Sequence, residues 1–310
     1  MIDFPTLGMG TAPIGNLYRV VSDAEARATL DAAFAAGIAY FDTAPHYGFG
    51  LAERRLGAAL ADHDPQGRAR VSTKVGRLLR PTDAQGERHG FVDADPFEPH
   101  FDYGHDAVLR SFESSQKRLR RDRIDLLLAH DIGRLTHGDA HDDHLAAFLD
   151  GGYRAMRDLR DAGAIGAIGI GVNEVAICHE LLDRVELDAI LIAGRYTLLD
   201  RGAEELLDRC ASADVRVIVG GPYNSGILAR DLSGPLHFDY AAPDAAILAR
   251  AQAMAALGRD AGVALPAAAV IRDDLGSMQR IVSPGGAIRY TAARTADGTN
   301  NWTFERKDGP

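Results

Sequence analysis

Residues 38–48, Ile38-Ala39-Tyr40-Phe41-Asp42-Thr43-Ala44-Pro45-His46-Tyr47-Gly48, decide how this chain is read. The run from Ile38 to Phe41 is short, apolar and aromatic, which reads as a buried strand. Beyond Asp42 the sequence turns polar, and Pro45 and Gly48 mark a loop. A carboxylate (Asp42) and a phenol (Tyr47) therefore stand at or just past the C-terminal end of one strand. Two later runs end in the same way. Arg70-Val71-Ser72-Thr73-Lys74 closes on a lysine, and Ile124-Asp125-Leu126-Leu127-Leu128-Ala129-His130 closes on a histidine. In (β/α)8 barrels the catalytic side chains come from the C-terminal ends of several strands. Three strands ending in Asp, Lys and His predict that architecture.

The rest of the chain agrees with an alternating α/β pattern. Thr6 to Thr11 reads as the first strand. Ser22-Asp23-Ala24-Glu25 is a capping box that opens a helix, and Gly37 closes it. A helix through Ala52 to Leu56 precedes the strand ending at Lys74. The segment from about Gly76 to His105 is polar and rich in Pro, Gly, Asp and His. As a long loop at the C-terminal face it is expected to overhang the substrate site. Ala107 to about Arg120 reads as a helix, and a second polar segment runs from Gly133 to His144. Later strands are expected at Ala164 to Val172, Ala189 to Ala193 and Val215 to Val219, with a helix from Ala245 to about Arg259. From Val270 the pattern fades. Ile281 to Gly286 reads as a degenerate last strand, and 287–310 as an atypical, disordered tail after a barrel of residues 1–286.

Composition bounds the partners. The 310 residues suit one large barrel or two ordinary domains, and 46% hydrophobic with 25% charged residues is a globular balance. A formal net charge of −10 argues against nucleic acid, whose phosphates need a basic surface. No apolar run is long enough for a membrane span. Cys178 and Cys210 fall in expected helices and give no disulfide framework. Met1 to Pro5 lacks the basic start and apolar core of a secretory signal, so the expectation is a cytoplasmic protein.

Several motifs together resemble the aldo-keto reductase superfamily. They are Phe41-Asp42-Thr43-Ala44 with Tyr47-Gly48, Ser72-Thr73-Lys74, and Leu127-Leu128-Ala129-His130. The aldose 1-dehydrogenase branch, which includes L-fucose and pyridoxal 4-dehydrogenases, is similar over further stretches. These are Ala129-His130-Asp131-Ile132, Gly151-Gly152-Tyr153-Arg154-Ala155, Ile168 to Glu174, Ala193 to Leu199 and Gly220 to Leu228. The resemblance runs from about residue 6 to Ala269. It implies a nicotinamide cofactor, NAD or NADP, and a catalytic set of Asp42, Tyr47, Lys74 and His130. It also implies cofactor contacts from Gly10, Thr11, Asp42 and Asn173, and from the loop Gly221, Pro222, Tyr223, Asn224, Ser225 and Gly226. His46, His130, Asp131 and Arg195 are expected in the substrate pocket. Two positions depart from many members: Ala193 stands where a Gln is common, and Gly220 where an aromatic stacks on the nicotinamide. The aldose branch shares both. The family holds the adenosine end of its cofactor in the region where this chain changes character. No G-x-G-x-x-G follows a strand, which argues against a Rossmann site.

The residue types suit the chemistry. A free tyrosine, with a pKa of about 10, is a weak base at neutral pH, and an adjacent lysine cation lowers that value. Lys74 would do this for Tyr47, Asp42 would hold Lys74, and His130 would orient the substrate oxygen. Alone, Asp42 reads better as a turn residue, Lys74 as a solvated cation and His130 as a structural histidine. Their joint occurrence with Tyr47 reverses that. The histidines at 89, 100, 105, 137, 141 and 144 read as a solvated loop group, and no metal is expected. The expected function is oxidation of an aldose such as L-fucose at C1 to its lactone. A pyridoxal-type hemiacetal, a general carbonyl reductase and a binding barrel without turnover are the alternatives. The expected partner is a small molecule, and the expected state a monomer or homodimer.

Overall fold

The computed structural model describes residues 4–230, 232 and 234–270, together with the backbone of three later strands. The chain divides into two compact units. One is Met1–Ile192 with Glu205–Ile218, and the other is Ala193–Glu204 with Val219–Pro310.

In the first unit strands and helices alternate. The order is β1 (Met9–Gly10), α1 (Asp23–Ala35), β2 (Tyr40–Asp42), α2 (Leu51–His63), β3 (Arg70–Val75), β4 (Arg77–Pro81), β5 (Phe97–Phe101) and α3 (His105–Leu119). Then come β6 (Ile124–His130), α4 (Arg134–His137), α5 (His141–Ala147), α6 (Tyr153–Asp161), β7 (Ile165–Val172), α7 (Val175–Leu182), β8 (Ala189–Ala193), α8 (Glu204–Ser212) and β9 (Arg216–Gly220). One sheet takes the order β1-β2-β3-β6-β7-β8-β9. Pairing is parallel from β1 through β8. All seven residues of β6 are buried, as a strand covered on both faces requires. Register aligns Gly10 with Asp42, Asp42 with Ser72, and His130 with Gly171. The C-terminal ends of β2, β3 and β6 therefore lie side by side.

Helix α1 begins and ends where the sequence says, whereas α3 starts at His105, two residues before the expected Ala107. Ser22 accepts from Glu25 N–H while the Glu25 carboxylate accepts from Ser22 N–H, closing the capping box. Gly37 follows at φ +82°. Behind β3, Glu53 of α2 is fully buried and accepts from Thr73 Oγ1 and Arg118 Nε, both at 2.6 Å. That network ties α2, β3 and α3 together with a carboxylate whose charge is paired.

The polar segment after Lys74 is not a plain loop. Arg77–Pro81 and Phe97–Phe101 pair antiparallel, with Leu78 opposite His100 and Leu79 opposite Pro99. Between them Phe91 turns inward and is buried. The second polar segment is likewise largely helical, as α4 and α5. Cys178 and Cys210 are buried free thiols inside α7 and α8.

The second unit contains α9 (Ala245–Asp260) and α10 (Leu265–Val270). Leu198, Leu199, Ile227, Leu228, Met254 and Leu265 belong to its apolar core. Asp244 caps α9 by accepting from Ile247 N–H. Arg280–Ser283, Gly286–Arg294 and Asn300–Lys307 form β10 to β12, a separate three-stranded sheet with antiparallel pairing. The stretch expected as a degenerate last barrel strand thus pairs with its successor instead of joining the parallel sheet. Strand β12, and β11 from Ala287 onward, fall within the expected tail. Residues 271–279, where the expected barrel pattern fades, lie outside the described residues.

Candidate active site

The strand ends bring Asp42, Lys74, Tyr47 and His130 together. Lys74 sits on β3 two residues beyond Ser72, the partner of Asp42, so its side chain lies on the same face as that of Ser72. Lys74 is 1% exposed. Its Nζ donates to Asp42 Oδ2 at 2.8 Å, to Asp42 Oδ1 at 3.0 Å, to Thr43 O at 2.7 Å and to Tyr47 Oη at 3.1 Å. Ser72 Oγ donates to Asp42 Oδ1 at 2.7 Å and is itself paired with Tyr40 Oη at 2.8 Å. A buried ammonium is thus surrounded by acceptors, the condition for keeping its charge out of water.

Tyr47 is delivered by the loop after β2, which packs tightly on the segment after β1. A Cβ on Gly15 would fall 2.7 Å from the Tyr47 carbonyl carbon, and one on Gly48 (φ +65°) 2.4 Å from Gly15 O. Only glycine at both positions allows that approach. The Tyr47 and His130 rings meet edge to face at 6.0 Å, and His46 lies 5.9 Å from His130. Phe91 flanks them, 5.3 Å from His46 and 6.4 Å from Tyr47. Burial, first, and then the nearby cations Arg77 and Lys74 hold the His130 imidazole well below its usual range, so it is neutral. Burial and Arg77 do the same to His46. Nδ1 of each of these histidines is buried with no hydrogen-bond partner among the described residues.

Asp131 follows His130 and pairs with Arg77 of β4. Burial pushes the Asp131 carboxyl upward, and Arg77 and Lys74 oppose that. Tyr103, fully buried, donates its hydroxyl to His130 O at 2.6 Å. The single phenolic proton is then committed, so His137 Nε2 at 3.0 Å is the donor to Tyr103 Oη. Gly76, at φ +101°, makes room: a Cβ there would fall 2.1 Å from the Tyr103 ring. Asn173, just past the end of β7, lines a small cleft with Asp131, Thr136 and Glu174. Gly10 and Thr11 lie at the end of β1, where Thr11 N–H and Oγ1 both donate to Asp42 O.

The remaining expected residues belong to the second unit. Arg195 pairs there with Asp200 at 3.1 Å and with Asp239. In the loop 221–226, Gly221, Asn224, Ser225 and Gly226 all have positive φ, at 57°, 44°, 59° and 99°. The loop is closed on itself: Asn224 N–H donates to Gly221 O at 2.9 Å and Gly226 N–H to Tyr223 O at 3.0 Å. Asn224 Nδ2 donates to Gly194 O at 3.2 Å, while its buried Oδ1 has no partner among the described residues. Among the described residues no group of three His, Cys, Asp or Glu is placed to hold a metal ion. The histidines expected as a solvated loop group are not all solvated: His141 is buried, and the His137 and His144 rings lie 4.2 Å apart, tilted by 39°.

Sequence reasoning passed over Arg77, Phe91 and Tyr103. The available signal was local: Gly76 and Arg77 follow Lys74 after one residue, and Phe91 is an aromatic in an otherwise polar segment.

The model of the aldo/keto reductase family matches residues 6–272, and the chain belongs to that family. Its fold is the family's (β/α)8 barrel, and it is an NAD(P)-dependent oxidoreductase. Among curated relatives, pyridoxal 4-dehydrogenase of Microbacterium luteolum is 44% identical over 85% of this chain and 80% of its own. D-threo-aldose 1-dehydrogenase of a Pseudomonas species is 39% identical over 91% of this chain and 85% of its own. Among solved structures, an aldo-keto reductase of Bacillus halodurans in its holo form is 27% identical, with a TM-score of 0.57 over 74% of this chain and 67% of that one.

Proposed function

We propose that this protein oxidises an aldose of the L-fucose type at C1 to its lactone, using NAD or NADP. The observation that carries this reading is the position of Lys74 Nζ, within hydrogen-bond reach of both the Asp42 carboxylate and the Tyr47 hydroxyl. In the oxidative direction Tyr47 accepts the proton of the C1 hydroxyl. The Lys74 ammonium stabilises the negative charge on that phenol oxygen, and Asp42 fixes the ammonium. The neutral His130 holds the substrate oxygen in line by a hydrogen bond. The nicotinamide, when bound, serves as acceptor of the C1 hydride.

The residues fit such a cofactor. Buried polar atoms without protein partners among the described residues cluster at the strand ends, on His130, His46 and Thr43. Asn173 would hold the nicotinamide amide and Asp42 the ribose. Gly10 and Thr11 stand at the neighbouring strand end. By the family resemblance, the loop of Gly221, Pro222, Tyr223, Asn224, Ser225 and Gly226 would wrap the pyrophosphate. His46 and Asp131 would line the substrate pocket, with Arg195 as a further expected contact. A cytoplasmic location, as a monomer or homodimer, goes with this reading.

A second reading, oxidation of a pyridoxal hemiacetal, is favoured by the 44% identity to a pyridoxal 4-dehydrogenase. The two share the same reacting carbon chemistry. The test common to both is Tyr47→Phe, assayed with the better of L-fucose and pyridoxal. Turnover should fall roughly 10²–10⁴-fold, with cofactor binding by fluorescence kept. Normal turnover in that variant removes Tyr47 as the acid/base.

A further inference from the structure

Asp131 is held from every side. Its φ is +47°, a region non-glycine residues seldom adopt. Its N–H donates to Gly171 O at 2.9 Å, and its carbonyl oxygen lies 3.3 Å from Tyr103 Oη. Its carboxylate pairs with Arg77, and Oδ2 lies 3.5 Å from His130 Nε2. It also lines the cleft beside Asn173. Residues kept in sparse backbone regions by surrounding contacts cluster at binding and catalytic sites. Asp is at home in a left-handed turn, but a turn residue does not need a guanidinium that is only 12% exposed. Arg77 stacks over the Phe101 ring at 5.1 Å, and its buried Nε–H has no partner among the described residues.

Resting on the aldose reading above, we propose that the Arg77–Asp131 pair is the specificity determinant of this site. Asp131 accepts a hydrogen bond from a hydroxyl on the carbon next to the oxidised one, and Arg77 holds the carboxylate in place for it. The geometry supplies the argument. His130 addresses the reacting oxygen, and a second polar group 3.5 Å from its ring nitrogen suits an oxygen on the neighbouring carbon. The chemistry narrows it further. A carboxylate only accepts. The ring oxygen of a sugar hemiacetal cannot donate, so the C2 hydroxyl is the match. A pyridoxal hemiacetal carries no hydroxyl on the carbon beside its reacting one. The pair therefore favours an aldose with an intact C2 hydroxyl.

The test compares kcat/KM for an aldose and its 2-deoxy counterpart in wild type, Asp131→Asn, Arg77→Met and Arg77→Lys, with thermal unfolding as a check on folding. A hydrogen bond to a charged acceptor corresponds to roughly 10- to 150-fold in this ratio. Wild type should prefer the intact aldose by that factor. The Asn and Met variants should lose most of the preference, chiefly through the intact sugar, and Arg77→Lys should restore part of it. If Arg77→Met does not fold, Asp131→Asn, which keeps the side chain's shape, decides alone. A preference unchanged in Asp131→Asn overturns the assignment of the pair and leaves the aldose reading standing. Oxidation of pyridoxal with no aldose turned over by wild type removes the aldose reading, and the pair's role with it.

Discussion

Lys74 donates to both carboxylate oxygens of Asp42, at 2.8 and 3.0 Å, from a side chain that is almost wholly out of water. The pair is built by register. Asp42 ends β2 opposite Ser72, and Lys74 lies two residues further along β3. Neither charge can be removed without leaving the other in a poorly hydrated place.

Lys74→Met should therefore do two things. Turnover should fall by roughly 10²-fold or more, since the charge that stabilises the Tyr47 oxygen is gone. Stability should fall by about 3–5 kcal/mol, the usual cost of breaking a buried pair by removing one partner. Urea unfolding and steady-state rates check both halves.

Gly15 tests how Tyr47 is positioned. Adding one methyl at Gly15 pushes a Cβ into the Tyr47 carbonyl carbon. Gly15→Ala should destabilise by about 1–3 kcal/mol, as overpacking does, and should lower kcat more than it raises KM for the sugar. A variant with unchanged kcat would show that the loop accommodates the methyl without moving the phenol.

The buried histidines predict an acid weakness. The folded pKa values of His130 and His46 are depressed by burial and nearby cations, while the unfolded value is about 6.5. Below that pH the unfolded chain binds protons the folded one refuses, so stability falls as pH drops. Above it the effect vanishes. The slope should approach about 1.4 kcal/mol per pH unit for each histidine. Asp131, whose pKa is raised, acts with the opposite sign at lower pH. His137, lowered to about 4 by burial and then by His144, adds a third such histidine. Urea midpoints at pH 7.5, 6.5 and 5.5 measure the effect, and His130→Asn should remove about a third of the slope.

The side chains that meet around Lys74 could be picked out in the sequence because three of them stand at or next to strand ends, with Tyr47 in the loop after the first. Asp42 and His130 end strands with apolar runs, Lys74 is the last residue but one of a short β-rich run, and Ser22 with Glu25 announces a helix by chemistry alone. Arg77, Phe91 and Tyr103 could not be read in the same way. They belong to or flank a hairpin whose strands, Arg77–Pro81 and Phe97–Phe101, are too short and too polar to show alternation. Their meaning comes from tertiary contacts: Tyr103 matters because it reaches His130 O, which is 27 residues away. Glu53 is a similar case. It reads as one more charged residue on a helix, yet it is fully buried and bonded to Thr73 and Arg118.

Glu53→Ala should accordingly cost about 3–5 kcal/mol by leaving Arg118 and Thr73 without their shared acceptor, and it should leave KM for sugar and cofactor close to wild type. A loss under about 1 kcal/mol, the range of exposed pairs, would mean that solvent reaches the site.

The measurement that bears most directly on the function is growth of the reduced-nicotinamide absorbance band. Purified protein is mixed with NAD or NADP and with L-fucose, D-arabinose, L-galactose or pyridoxal in turn. Growth of the band with a sugar, abolished in Tyr47→Phe, is the predicted result, and it fixes substrate and cofactor together. A folded, cofactor-binding protein that produces no reduced nicotinamide from any of the sugars would contradict the account.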